Sequence, residues 1–248
     1  MHRTGSLYGQ FKTLEQQKDT ATLGMWIFLV TEVMFFGGIM LAYTINRHTY
    51  FHAFAMGSNT LSLKLGGFNT VVLLFSSFTM AMAVWSAQTS RKKLITLFLS
   101  LTILLGFVFF YVKYVEYTQK FHHHLVPGKN FDIFYCVNNP AKCEDMSAKE
   151  LEEEEKELRI ASDPKTGDPD LNAHAQLYYS AYFGMTGLHA LHMVIGAGLL
   201  FWLLKEAVAG KFNAEWNNPV DIVGLYWHFV DIVWIYLFPL LYLIDKHK

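Results

Sequence analysis

Five uninterrupted apolar runs govern what this chain can fold into, near residues 22–44, 67–88, 94–117, 177–204 and 221–244. Each is long enough to cross a bilayer, which takes about 20 residues at roughly 1.5 Å of rise per residue. A membrane β-barrel would instead show segments of about ten residues with alternating polarity. Outside a closed barrel, a backbone in lipid must satisfy its own polar groups, and a helix does this within each segment. The sequence therefore predicts an all-α integral membrane bundle of five transmembrane helices over residues 22–248, preceded by a polar tail at 1–21. A hydrophobic content of 52% with 16% aromatics is too apolar for a soluble domain of this length. The first run exceeds a signal-peptide h-region and reads as a retained span.

Lys and Arg in short loops are held on the cytoplasmic side. Arg3, Lys12 and Lys18 of the tail, Arg91, Lys92 and Lys93, and Lys205 and Lys211 all fall on one side of a five-span chain. Arg47, Lys64, Lys246 and Lys248 fall on the other. The expected N-terminus is cytoplasmic and the C-terminus extracytoplasmic, which puts a long loop at about 118–176 outside. A net charge of −1 without a basic face gives no reason to expect nucleic acid as a partner. In the long loop, SAKELEEEEKELR opens with Ser147 and Glu150 at capping-box spacing and reads as a short solvated helix, with docking of a cationic partner as the rival reading. The only two cysteines, Cys136 and Cys143, share that loop, as a disulfide or as two free thiols. His122, His123 and His124 read as interfacial side chains rather than as a metal tract.

Ionisable groups deep within a span cost several kcal/mol unless paired or hydrated, so each is a functional candidate. Glu32 lies in the first run, His189 and His192 in the fourth, and His228 and Asp231 in the fifth. The last two pairs are spaced i,i+3, so each shares a helix face. Facing inward, the five residues would form one buried polar cluster. Such a cluster could ligate a metal or haem, carry protons, or glue helices together around lipid. The metal reading is weakest, because paired Glu-x-x-His helices and cysteines within the spans are absent from the sequence. Lys113 and Glu116, also i,i+3, read as a simple salt bridge near the outer end of the third span.

Longer stretches add a resemblance. WIFLVTEVMFFGGIMLAY (26–43), FNTVVLLFSSFTMAMAVW (68–85), LGFVFFYVKYVEY (105–117), YFGMTGLHALHMVIGAG (182–198) and YWHFVDIVWIYLF (226–238) resemble, in order, the last five helices of subunit III of the haem-copper terminal oxidases. The resemblance implies the shorter, bacterial five-helix kind. It implies an accessory core subunit in the bacterial cytoplasmic membrane, beside subunit I and other oxidase subunits, in a complex that reduces oxygen to water and translocates protons. No catalytic or metal site is expected in this chain: haem and copper belong to partner subunits, while phospholipid is bound in a cleft. Glu32 matches the family's buried, carbodiimide-reactive glutamate, and Glu116, His189, His192, His228 and Asp231 match family polar positions. Lys205 stands where mitochondrial members have an arginine facing a lipid head group, and Asp221 where they have a glutamate. Lysine lacks the bidentate fork that grips phosphate and offers a point charge instead. The 118–176 loop is longer than in mitochondrial members, which suggests a bacterial complex with its own outer partner. The electron donor is left open between cytochrome c and quinol. A subunit III homologue associated with nitric oxide reductase and an independent proton-linked transporter are the rivals; the lack of an obvious inverted repeat speaks against the transporter.

Overall fold

The computed structural model describes residues 9–143, 146, 148–163, 167–213 and 216–243. Among these, all regular structure is helical. Five long helices are apolar enough to cross a membrane: α1 (Leu14–Thr49), α3 (Leu63–Gln88), α4 (Lys92–His122), α7 (Leu171–Val208) and α8 (Asn218–Tyr242). The chain is thus an all-α, multi-pass membrane protein with the five expected spans. Three short helices, α2 (Phe51–Asn59), α5 (Tyr135–Asn138) and α6 (Ala148–Ala161), fill the connections, with a 3-10 turn at Pro140–Lys142. The long helices extend beyond the apolar runs. At 36 and 38 residues, α1 and α7 reach roughly 54 and 57 Å, well past the ~30 Å hydrocarbon layer. Ser147, half of the expected capping box, lies outside the described residues; α6 begins at Ala148.

Three of the long helices stop in the same way. After α3, Ser90 turns to a φ of 55°, and Arg91 N–H bonds to Ser86 O while Ser90 N–H bonds to Ala87 O. The same pair of bonds recurs around His124 after α4 and around Gly210 after α7. This is the Schellman motif, which satisfies carbonyls that the last helical turn leaves over. Glycine adopts the left-handed conformation freely; Ser90 and His124 hold it at a cost.

Two compact units divide the chain. One comprises the stretch up to Gly37 with Asn69–Phe110 and Leu188–Ile235; the other comprises Gly38–Phe68, Tyr111–Gly187 and the residues from Tyr236 onward. Each long helix contributes one stretch to each unit. The first unit is centred on Trp227 and Trp234, both fully buried. Their indole N–H groups donate to Ser76 Oγ (3.0 Å) and Thr70 Oγ1 (3.2 Å). Small residues allow this: a Cβ on Gly196 would stand 3.0 Å from Trp227, and one on Gly224 would stand 2.9 Å from Val84. Close approach at small residues is the main packing device between helices in lipid, where the hydrophobic effect supplies no drive.

The second unit is built on tyrosines. Tyr43, Tyr178, Tyr179, Tyr182 and Tyr242 are fully buried. The hydroxyls of Tyr43 and Tyr178 donate to the carbonyls of Leu240 and Leu241, both at 3.0 Å. These carbonyls belong to the last turn of α8, so the tyrosines do what water would do at an exposed helix end. Cys136 and Cys143 are joined by a disulfide with a Cα–Cα distance of 5.7 Å.

Candidate functional site

The polar residues of the spans fall into distinct groups. In the first unit, Glu32 of α1 meets His192 of α7, with 3.2 Å between Oε2 and Nε2. His192 Nδ1 lies 2.8 Å from the carbonyl of Leu188, one turn back. A carbonyl only accepts, so Nδ1 carries a hydrogen and the neutral ring presents Nε2 as an acceptor. Glu32 must then donate as the acid; if instead it is ionised, the ring must be imidazolium. Either way, the hydrogen bond requires one proton shared between Glu32 and Nε2. Tyr226 donates to the His192 carbonyl at 3.0 Å, and Phe36 packs edge-on against the ring at 5.3 Å. The pair retains some exposure, 13% at the His192 side chain and 19% at Glu32, on a helix that is itself only 11% buried across its most apolar window.

Asp231 is buried and His228 half-buried. Ser77 Oγ is 2.7 Å from His228 Nδ1. Ser77 is also the polar neighbour of Asp231, but its geometry falls short of a hydrogen bond, and both buried carboxylate oxygens lack a bonded partner. His189 is buried beside the rings of Phe109 (5.6 Å) and Trp234 (5.2 Å). The expectation of one five-residue cluster is therefore refined. Glu32 and His192 form a direct pair, His228 and Ser77 another, and His189 packs among aromatics. The i,i+3 spacing puts His189 and His192 on neighbouring faces, yet burial separates them, because 100° per residue leaves a 60° offset after three residues.

In the second unit, Lys113 and Glu116 bond at 2.8 Å, as the spacing suggests, but they are buried rather than interfacial. Lys113 Nζ also donates to Tyr242 OH at 2.8 Å, while Tyr242 and Tyr182 donate to Glu116 Oε1 at 2.5 and 3.0 Å. Aliphatic spacing alone gives no hint of this network. The signal lay in Tyr182 and Tyr242, whose hydroxyls need partners once buried. Asp221 accepts from Gln88 Nε2 at 3.3 Å, and Lys205 is exposed in the last turn of α7.

Beside this network, a cavity of about 450 Å³ lies between α4 and the connecting helices, with Lys120, His123, Cys136 and four glutamates of α6 in its walls. Burial pushes the Glu154 carboxyl above the ordinary glutamate range; Lys120 opposes the shift and Glu157 adds to it.

The chain that carries these five spans matches a known family over most of its length. Its profile, described as cytochrome c oxidase subunit III, covers residues 1–135 and 171–246. The chain belongs to the cytochrome c oxidase subunit III family. Its relatives include proteins named "Probable quinol oxidase subunit 3" from three staphylococci. The Staphylococcus saprophyticus protein is 27% identical over 235 residues, 94% of each chain. The Staphylococcus haemolyticus and Staphylococcus aureus proteins are each 27% identical over 223 residues, 90% of this chain and 88% of theirs. This subunit III is thus part of a haem-copper terminal oxidase, an oxidoreductase complex, and associates with its other subunits. Residues 136–170, which hold Cys143 and all of α6, fall outside the family match.

Proposed function

We propose that this chain is the accessory, non-redox subunit III of a bacterial cytoplasmic-membrane oxidase that reduces oxygen to water and translocates protons. Haem and copper reside in partner subunits, foremost subunit I. The observation that carries the reading is the Glu32–His192 hydrogen bond inside a poorly covered span. A carboxyl and an imidazole sharing one proton hold it as a pair without net charge in the low-dielectric layer, and a proton passed on must be replaced by one arriving to keep that balance. On α1, Trp26, Ile27, Val30, Val33 and Met34 are exposed, a continuous apolar surface suited to lipid and to a neighbouring multi-helix subunit. Exposed Lys205 is suited to an anionic lipid head group, as a point charge.

The relatives' names favour quinol as the electron donor, whereas the family's description is that of cytochrome c oxidase. Affinity purification through this chain tests both levels. The expected product contains a haem-bearing subunit I and oxidises quinol faster than reduced cytochrome c. The isolated chain shows no Soret band. Stoichiometric haem in the isolated chain would overturn the accessory reading, and turnover with cytochrome c alone would overturn the donor. In the complex, Glu32→Gln retains substantial oxygen reduction with altered pumping or a shorter working lifetime. A fully assembled Glu32→Gln complex with intact redox centres and no turnover would make Glu32 essential and refute the assignment.

A further inference from the structure

The side-chain ligand atoms of His123, Cys136 and Cys143 lie within 4.8 Å of one another, at the end of α4 and in the connection after it. Both cysteines are buried, and His123 is half-buried. A tetrahedral d10 ion with bonds of about 2.3 Å to sulfur and 2.0 Å to nitrogen needs its ligands roughly 3.5–3.8 Å apart. Once the bond between the two sulfurs opens, the three side chains lie close enough to reach that spacing by side-chain rotation. His123 and Cys136 also open onto the 450 Å³ cavity, so an ion has a way in, and Glu150, Glu153 and Glu154 stand in the same walls to attract it.

We propose that His123, Cys136 and Cys143 form a redox-gated binding site for a soft or borderline d10 cation, Zn²⁺ or Cu⁺. The gate is the disulfide, since thiolates bind such ions and a disulfide does not. Opening it takes two electrons and two protons from a dithiol reductant. The S–S bond breaks, two thiols form, and the reductant closes to its own disulfide. Binding of the ion then displaces the two thiol protons. Cys143 lies outside the family match and Cys136 begins the unmatched segment, so the site belongs to this chain's own connection rather than to the subunit III scaffold. His124 does not compete: its ring lies tilted against Tyr135 at 3.9 Å, and its Nδ1 is 3.3 Å from the Asn130 carbonyl.

The test uses the full chain in detergent. As isolated, with the disulfide closed, it binds no Co²⁺ at this site. After reduction by a dithiol, removal of the reductant and a count of two free thiols, it binds one Co²⁺ with thiolate-to-cobalt charge-transfer absorption. Zn²⁺ displaces the cobalt, and Cu⁺ competes when supplied from a chelator. Cys136→Ser or Cys143→Ser abolishes the charge-transfer band. His123→Ala weakens binding by at least about tenfold, no less than the loss of an outer-shell partner causes, whereas exposed His122→Ala leaves it unchanged. Three results would overturn the proposal: no ion on a chain with two verified thiols, equal affinity in His123→Ala, or binding that survives loss of both cysteines and so reflects the histidine run alone.

Discussion

Lys113→Met would leave the Glu116 carboxylate buried, with two tyrosine hydroxyls bonded to it and Lys120 as the remaining nearby cation. Two unit charges 2.8 Å apart interact by about 6 kcal/mol at an effective dielectric of 20. Desolvation of both ions offsets much of that gain in the intact protein. It is not recovered for the carboxylate when only the lysine is removed, so breaking such a pair costs about 3–5 kcal/mol. For a chain of this length that corresponds to a fall in Tm on the order of 10 °C. Adding Glu116→Gln should restore most of the loss. The amide oxygen still accepts from Tyr182 and Tyr242, now bonded at 3.0 and 2.5 Å to Glu116 Oε1, and no unpaired charge is left. The assay is a double-mutant cycle, read by thermal unfolding in one detergent at one lipid content. A Lys113→Met loss below about 1 kcal/mol, or a double variant that loses the sum of the two singles, would refute the claim that burial sets the cost of this pair.

Glu154→Gln should raise stability near neutral pH. Burial lifts the folded-state Glu154 value above the ordinary one, so the native state loses stability as pH rises through it. The gain over wild type should shrink as pH falls below the ordinary glutamate range; a constant gain in unfolding scans from acid to neutral pH would contradict this. Ser90→Gly relieves a φ of 55° and should stabilise the chain by about 1 kcal/mol, measured as a rise in Tm, while a loss would show that the serine side chain matters more than the backbone. Lys205→Glu should reduce the number of anionic phospholipids retained in native mass spectrometry, and an unchanged count would remove Lys205 as a lipid ligand.

The spans were legible because lipid leaves so few options: a long apolar run is a helix, whatever its neighbours. The partners of polar residues were less legible. Spacing along α4 pairs Lys113 with Glu116, but it cannot say that Tyr182 and Tyr242, 66 and 126 residues on from Glu116, complete the network. Likewise, i,i+3 spacing treats His189 and His192 as equivalent, whereas Trp234 and Phe109 cover one and Glu32 meets the other. The Schellman stops at Ser90 and His124 carry no glycine to announce them, in contrast to Gly210.

The tyrosine caps on α8 bear on how the chain is made. Synthesis runs from the N-terminus, so Tyr43, Tyr178 and Lys113 leave the ribosome before the partners that α8 brings to them. Until residues 240–242 arrive, two tyrosine hydroxyls and an ammonium wait in the growing bundle without those bonds, a state that lipid penalises. The last few residues of the final span thus supply the bonds that complete the interior. A chain truncated just before them would hold all five apolar segments and could still enter the membrane, yet it would leave its own interior unsatisfied, a defect that membrane quality control can detect.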